Sequence, residues 1–547
     1  MFIVLARVDS RVMAARLTDA GGALGVEYVA DLAAFVAKEE PAHPRWVWDD
    51  TSTWYPELLA AGIRVDRCFD LRLCHAILRS SVLTADSALA RAPQGVWDAP
   101  APHTAPAEPD GALFDVEPEQ PAVVADPLAE FTLQRAAVAG CAEPGRIQRL
   151  LAAESAGALV AAEMRFAGLP WDVAAHDRIL TGILGPRPRE GERPAKLQEV
   201  LDVVRQRLDV PDLNPDSPVE LLRGLGLAGL QATSTRSWEL KQLKHPAIAP
   251  LLEYKKLARL LSANGWHWLD TWVVDGRFRP DYVPGGVVTG RWATSGGGAL
   301  QLPRQIRGAV VADPGWKLVV ADASQLEPRI LAAMAADRGM VQAGAAGDLY
   351  AGIVASGAVE TRDQAKIAML GAMYGATTGE SGRLMPRLAK AYPRAIQLVE
   401  DAARAGERGE RVTTRLGRSS PPGQRFEGWS DGRSDAETSR ARERSRSWGR
   451  FTRNFVVQGT AAEWALCWMA SIRRRLRELD GRGFEHAPHL VFFLHDEVVV
   501  HTPAELADTV RQVLVDSAAE AGRLLFGELP VTFPLTVASV DDYGQAK

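Results

Sequence analysis

Lys317–Arg329 reads KLVVADASQLEPR and His489–Thr502 reads HLVFFLHDEVVVHT. In the first, the run LVVA predicts a buried strand, with Asp322 at its end and a helix-like segment after it. A carboxylate at a strand end is a common place for chemistry and, taken alone, equally a cap or turn acid. In the second, two apolar β-runs flank the tip His495–Asp496, and Glu497 begins the return strand, which predicts a β-hairpin. His-Asp is not a favoured turn pair. Something other than turn propensity is placing two acids between buried strands, although a solvated tip has the same pattern. Asp322 and Asp496 are 496 − 322 = 174 positions apart. If their strands are neighbours in one sheet, the carboxylates converge. Two hard oxygen ligands suit Mg²⁺, which takes one or two carboxylates plus substrate phosphates. Two such ions about 4 Å apart stabilise the attacking and leaving oxygens of an in-line phosphoryl displacement.

A third stretch tests that idea. Thr361–Gly375 reads TRDQAKIAMLGAMYG, a helix pattern with a Thr361/Gln364 capping box and a closing Gly375. Arg362, Lys366, Leu370 and Tyr374 recur every four residues and form a stripe along one face. An Arg and a Lys one turn apart near a helix N-terminus make a polyphosphate site, and a ring further along can stack on a base. A solvated basic edge has the same spacing. Arg450, Asn454 and Gln458 form a second four-spaced face, suited to contacts along a nucleic-acid strand. The segment Arg433–Arg453 holds seven arginines against three acids. Such runs are usually solvated faces, but they also bind phosphates.

Outward from these motifs, 547 residues imply roughly three or four packing units. Lys+Arg 63 against Asp+Glu 68 gives a net charge of −5, which excludes a protein that holds nucleic acid by bulk charge but not a local basic cleft. The four cysteines are scattered without CxxC spacing, which points to a reduced intracellular compartment rather than a disulfide framework. MFIVLA reads as a first strand rather than a signal peptide. No run approaches the ~18 apolar residues of a membrane span. The expected location is therefore cytoplasmic. Residues 1–90 alternate strand-type and helix-type runs, a small α/β unit. From Ala92 to Gln134 there is no Lys or Arg and there are eight prolines, which predicts an acidic, semi-extended linker over 91–134. Residues 135–262 read as mostly helical. The run from Arg146 closes at Gly168, and a second helix spans 251–262.

Together these stretches resemble the DNA polymerase I family (family A DNA polymerases) over about residues 150–547. The family's DYSQxELR is matched by DASQLEPR at Asp322–Arg329, its RxxxKxxxFGxxYG by Arg362–Gly375, and its HDE by His495–Glu497. Thr289–Gly290–Arg291 looks like its TGR, Leu300–Gln301 like its LQNIP, and Arg450, Asn454 and Gln458–Gly459 like its RxxxNxxxQG. The implied architecture is α+β and multidomain, a right hand of palm, fingers and thumb after a small α/β, ribonuclease H-like exonuclease domain. The implied boundaries are 1–90 for that domain, 91–134 for the linker, 135–265 for a helical thumb, 266–350 for the first palm segment, 351–470 for fingers and adjoining helix, and 471–547 for the second palm segment.

The implied activity is DNA-templated addition of deoxynucleotides to a primer, in repair or gap filling. Asp322 and Asp496 would bind two Mg²⁺ ions, with Mn²⁺ able to substitute, and Glu497 and Lys366 would join them in catalysis. Arg362 and Lys366 would grip the triphosphate, Tyr374 would sit near the templating base, and Glu327 would be the steric gate against a 2′-hydroxyl. Leu370 and Gln325 would complete the nucleotide site. Gln325 would also follow the primer or template. Arg291, Gln301, Arg450, Asn454, Gln458 and His495 would contact DNA. The implied partners are primer-template DNA and deoxynucleoside triphosphates, for a monomer located at the nucleoid.

The departures concern selectivity. Leu370 replaces an aromatic, Ala323 a Tyr, Pro328 an aliphatic residue and Tyr350 a His, and Gln301 runs straight into Leu302–Pro303. These predict altered sugar selectivity or fidelity. Residues 1–90 resemble the family's 3′–5′ exonuclease domain, but the only DxE before residue 150 is Asp115–Glu117, in the linker. Loss of proofreading is therefore expected. DGALF at Asp110–Phe114 resembles a sliding-clamp peptide. The length is also expected to exclude a 5′-nuclease domain. Two alternatives remain: a phage-type single-subunit RNA polymerase, against which Glu327 and its SQxE context argue, and a catalytically inactive DNA-binding accessory protein, against which the intact Asp322, Asp496, Arg362 and Lys366 argue.

Overall fold

Successive residues of a strand point to opposite faces, and in FIVLARV both faces are apolar. In a computed structural model this run is the central strand of an N-terminal sheet. The residues described are 1–99, 125–189, 191–376, 379–423, 435–480 and 482–546. Asp110–Phe114, Asp115–Glu117 and Arg433 lie outside them. The sheet contains β1 (Phe2–Val8), β2 (Arg11–Leu17), β3 (Ala23–Val29), β4 (Arg45–Trp48) and β5 (Arg67–Asp70), in the order β3-β2-β1-β4-β5. β1, β2 and β3 are antiparallel neighbours, and β4 and β5 continue parallel to β1. Ile3, Leu5, Trp46 and Trp48 fill one face with Trp54 and Tyr55, while Val4, Val47 and Leu71 fill the other with Phe131. The helices are α1 (Leu32–Glu39), α2 (Thr51–Ala60), α3 (Leu71–Ser80), α4 (Ala88–Arg91), α5 (Pro127–Ala139) and α6 (Pro144–Ala167).

Two expected boundaries move. Pro127–Gln134, assigned to the linker, forms the first turns of α5, capped by Asp126 with Pro127 at its start. Residues up to Ala99 also hold to the domain: Arg72 donates to the Val96 and Ala99 carbonyls, and Arg79 pairs with Asp98 at 2.6 Å. A stretch without Lys or Arg can still supply apolar anchors such as Phe131, and composition does not reveal them. The second correction concerns 135–167, assigned to the thumb. The chain divides into two compact units, Met1–Ala167 with Asp281–Gly296 and Val319–Ser539, and Gly168–Pro280 with Gly297–Leu318 and Val540–Lys547. α6 belongs to the first. Its buried residues include Leu150, Leu151, Leu159, Val160, Met164, Glu154 and Glu163, because elements pack on several of its sides. Residues 266–280 and 297–318, expected in the palm, fall in the second unit.

A four-stranded sheet runs in the order His489–Leu494, Glu497–Pro503, Trp316–Ala323, Leu535–Val540. The predicted hairpin is present, with Leu494 opposite Glu497. Around it stand the helices Leu326–Ala335, Leu349–Ala355, Arg362–Tyr374, Gly379–Ala391 and Pro393–Glu407, and the long helix Asp435–Leu479. The second unit is mainly helical, with Val204, Leu208, Leu221, Leu225 and Leu251 in one core.

Candidate active site

The strand ending in Asp322 and the return strand after Asp496 are adjacent in the sheet. The Ala323 N–H donates to the Asp496 carbonyl at 2.9 Å, so Asp496 is joined to the residue that follows Asp322. His495 takes φ 60, a left-handed conformation uncommon for a residue with a Cβ. This explains how His-Asp makes a tight tip. Such strain concentrates at functional sites. Glu497 is buried at the start of its strand. The Tyr282 hydroxyl donates to the Phe493 carbonyl and accepts from the Phe493 N–H, at 2.6 and 2.9 Å, which pins the hairpin from a second side.

The helix Arg362–Tyr374 begins with half of the predicted capping box, since Gln364 reaches back to Glu360 rather than to the N-cap Thr361. Thr361 Oγ1 accepts from the Gln364 N–H and Gln364 Oε1 from the Glu360 N–H, at 3.2 and 3.0 Å. It ends at Gly375, φ 75. Arg362, Lys366 and Tyr374 are exposed and Leu370 is half-buried. The Tyr374 hydroxyl donates to Glu327 Oε2 at 2.8 Å, and Arg291 Nη2 donates to Glu327 Oε1 at 2.5 Å. Glu327, five residues beyond Asp322, thus ties the helix to the strand segment that carries the first carboxylate. Burial, reinforced by the Glu327 charge, pushes the Tyr374 phenol up to about 12.

Asp348, absent from the predicted site, joins two predicted members. Its Oδ1 accepts from Gln325 Nε2 at 2.7 Å, and its Oδ2 accepts from Arg362 Nε at 2.8 Å. Its own N-cap bonds come from the Tyr350 and Ala351 N–H groups. Burial would raise the Asp348 carboxyl, but the bonds from Arg362 and Gln325 outweigh it and hold the group at about 2. The Arg362 guanidinium also stands 5.5 Å over the Tyr350 ring. Gln325 is therefore committed on both amide ends, since its Oε1 accepts from the Leu349 N–H at 2.8 Å. The only sequence sign of Asp348 was an acid in front of a helical run, which every N-cap shares.

Arg450, Asn454 and Gln458 form an accessible stripe on the long helix between buried neighbours. A Cβ at Gly375 would lie 2.9 Å from Arg450 Cγ, so the arginine stem packs at the end of the Arg362–Tyr374 helix. Gly459 allows the long helix to approach Thr414 and the carbonyl of Thr289. At Gly290, φ 84, a Cβ would lie 2.5 Å from Arg418 Nε, which explains the glycine before Arg291. Arg418 in turn pairs with buried Glu154. Gln301 belongs to the second unit.

Among the described residues no group of three or more His, Cys, Asp or Glu forms a metal cage. Two carboxylates at the ends of neighbouring strands, with Glu497 buried beside them, suit instead a hard divalent cation that completes its oxygen shell with substrate and water. The Asp322/Asp496 pair fits that requirement.

The sequence profile of DNA polymerase family A matches residues 205–542. DNA polymerase I of Chloroflexus aurantiacus is 29% identical over 365 residues, 61% of this chain and 36% of that protein. The thermostable DNA polymerase I of Thermus aquaticus is 26% identical over 341 residues, 56% of this chain and 37% of that protein. The chain thus spans little more than a third of the length of these relatives. The POL domain of Pol1 from M. smegmatis, solved in complex with DNA primer-template and dNTP, shares the fold with a TM-score of 0.71 at 18% identity, over 100% of this chain and 96% of that one. With the profile matched over more than half of its length, and the motif residues Asp322 and Asp496 at the ends of adjacent strands, this chain belongs to DNA polymerase family A.

Proposed function

We propose that the chain is a DNA-templated DNA polymerase that extends a primer 3′ end with deoxynucleotides. The observation that carries this reading is the placement of Asp322 and Asp496 at the ends of adjacent strands, joined by the Ala323 N–H to Asp496 carbonyl bond, with Glu327 bridging to Tyr374 on the helix that bears Arg362 and Lys366. Phosphoryl transfer needs little covalent help from the protein, so positioning and charge stabilisation do most of the catalysis. Asp322 and Asp496 hold the divalent cations, two Mg²⁺ with Mn²⁺ able to substitute. When bound, these supply Lewis acidity toward the primer 3′-hydroxyl and the leaving pyrophosphate. Arg362 and Lys366 draw the triphosphate to the helix N-terminus. Glu327, held by Arg291 and Tyr374, acts as the steric gate against a ribose 2′-hydroxyl. Arg450, Asn454 and Gln458 offer side-chain donors along the duplex.

Repair or gap filling, action as a monomer at the nucleoid, and absence of proofreading complete the reading. No described helix is long and apolar enough to cross a membrane. Support for a silent exonuclease domain lies in the tasks its acids already perform. Asp50 caps α2, Asp70 accepts from the Thr51 N–H and hydroxyl, and Asp49 accepts from Trp54 Nε1. Metal-dependent degradation of a single-stranded 3′ end that survives Asp322→Ala and is lost on mutating Asp49 or Asp50 would overturn it. A contact of the 110–114 segment with a sliding clamp is tested by titrating that peptide, and no binding at high micromolar concentration ends the idea. The reading as a whole is tested by primer extension with each nucleotide type. Template-dependent extension should vanish in Asp322→Ala and in Asp496→Ala, and its survival in either would sink the mechanism.

A further inference from the structure

Away from the polymerase residues, the N-terminal sheet carries a cavity of about 360 Å³ where the starts of β1 and β4 and the third residue of β5 face α5 and α6. Its floor is aromatic. The Phe131 ring lies 5.0 Å from Phe2 and 5.3 Å from Phe69. Two guanidinium groups line it, Arg45 from β4 and Arg135 from α5. Arg135 stands over the Phe2 and Phe131 rings at 5.2 and 5.7 Å and donates through Nη2 to the Asp19 carbonyl at 2.6 Å. Its Nη1 is buried without a hydrogen-bond partner.

Arg45 is the more telling group. Its backbone N–H donates to the Met1 carbonyl, but among the described residues its guanidinium has no hydrogen-bond or ion-pair partner. It is partly enclosed, and burial, reinforced by the like charge of Arg67, pushes its pKa down. The one carboxylate at the rim, Asp19, is exposed and already paired with the Met1 ammonium. A cation taken out of water without a counter-charge is costly. Here the missing negative charge borders an open cavity large enough for a small ligand. An arginine fork matches the oxygens of a phosphate, and a phosphate monoester, at about −1.5 to −2 charge, balances two guanidiniums where a carboxylate balances one. The phenyl floor suits a planar body.

We propose that this cavity binds a phosphate monoester carried on a planar ring, its head between Arg45 and Arg135 and its ring on Phe2, Phe69 and Phe131. The inference uses none of the residues assigned to polymerisation and stands or falls separately from that reading. The test is calorimetric titration of the full chain with phenyl phosphate, adenosine monophosphate, inorganic phosphate and phenol. Binding of the two ring-bearing phosphates, each at least tenfold tighter than inorganic phosphate and than phenol, is expected. Arg45→Met should weaken them at least tenfold while leaving primer extension unchanged and the melting temperature of the free protein equal or higher, because an unpaired, partly enclosed charge is removed. A merely structural arginine would lower that temperature. Should Arg45→Met not fold, Arg135→Lys, which keeps the charge but loses the fork, is expected to weaken the same ligands severalfold. Absence of binding at millimolar ligand, equal affinity for inorganic phosphate, or unchanged affinity in both variants would each overturn the proposal.

Discussion

Glu327 receives a hydrogen bond from Tyr374 on one oxygen and from Arg291 on the other, and that double hold gives a carboxylate the rigidity a steric gate requires. Glu327→Ala is expected to lower discrimination between deoxynucleotide and ribonucleotide by tenfold or more, read as the ratio of kcat/KM values in primer extension. A ratio equal to wild type would remove Glu327 from that role. Asp348 makes a sharper case. It holds the same Arg362 that is assigned to the triphosphate, so nucleotide and carboxylate compete for one guanidinium. The pair is half-exposed, and such pairs are worth at most about 1 kcal/mol, roughly a fivefold effect. Asn caps a helix as well as Asp does. Asp348→Asn should therefore keep the Leu349–Ala355 helix, leave the melting temperature nearly unchanged and lower the nucleotide KM two- to fivefold. A raised KM would mean that Asp348 orients Arg362 for binding instead of withholding it.

At the scale of elements, α6 and the long helix Asp435–Leu479 are clamped by buried charge. Glu163 on α6 accepts from Arg473 at 2.8 Å, from Arg64 at 3.1 Å and from the Tyr55 hydroxyl at 2.6 Å. Burial alone would raise the Glu163 carboxyl, but the two guanidiniums win and hold it well below the usual range. Removing one partner of a buried pair leaves the others uncompensated, so Glu163→Gln should cost about 3–5 kcal/mol, measured by urea denaturation. Glu463, on the long helix, behaves in the opposite sense. Burial raises it to about 7 against the bonds from Thr414 and the Leu416 N–H. Between about pH 4.3, the ordinary Glu value, and pH 7 the folded chain keeps this proton while the unfolded chain has released it. Its contribution is therefore full below about pH 4.3, falls as pH rises through that window, and is flat above about pH 7. Glu463→Gln removes the slope, so its stability relative to wild type should rise from pH 4.5 to pH 8 by up to roughly 3 kcal/mol. A pH-independent difference would place the Glu463 pKa at its ordinary value.

For the molecule as a whole, the N-terminal domain is integral to the first unit whatever its chemistry. Arg473 and Arg477 on the long helix donate to the Val65 carbonyl, and Arg473 also to that of Asp66. Ser81 Oγ donates to the Gly417 carbonyl at 2.9 Å. Leu159 of α6 completes the core on one face of the sheet. Deleting residues 1–99 would bare those apolar faces and strip Arg473 of its carbonyl partners. The truncated chain should be insoluble, or melt at least 10 °C lower because so much apolar surface returns to water, even if the domain cleaves nothing. Full solubility with unchanged melting would show the domain to be dispensable. The net charge of −5 conceals a similar division of labour. Lys and Arg are absent from Ala92 to Gln134, while the long helix carries Arg440, Arg442, Arg444, Arg446 and Arg450 along its first half.

Read by itself, the sequence determined the elements that carry chemistry: the strand ending in Asp322, the hairpin with His495–Asp496 at its tip, the capped helix from Arg362 to Tyr374, and the α6 run closing at Gly168. Each depends on periodicity, caps and turn residues within a few positions, and those forces act locally. The family motifs added the role expected of each residue but not its neighbours in space. Only the tertiary structure decided that α5 and α6 pack with the N-terminal sheet, that Asp348 rather than a residue of a motif holds Arg362 and Gln325, and that Glu163 and Arg473 meet although 310 positions separate them. Such pairings arise when packing brings distant segments together and buries their polar groups, which must then find partners. No local pattern records which partner that will be.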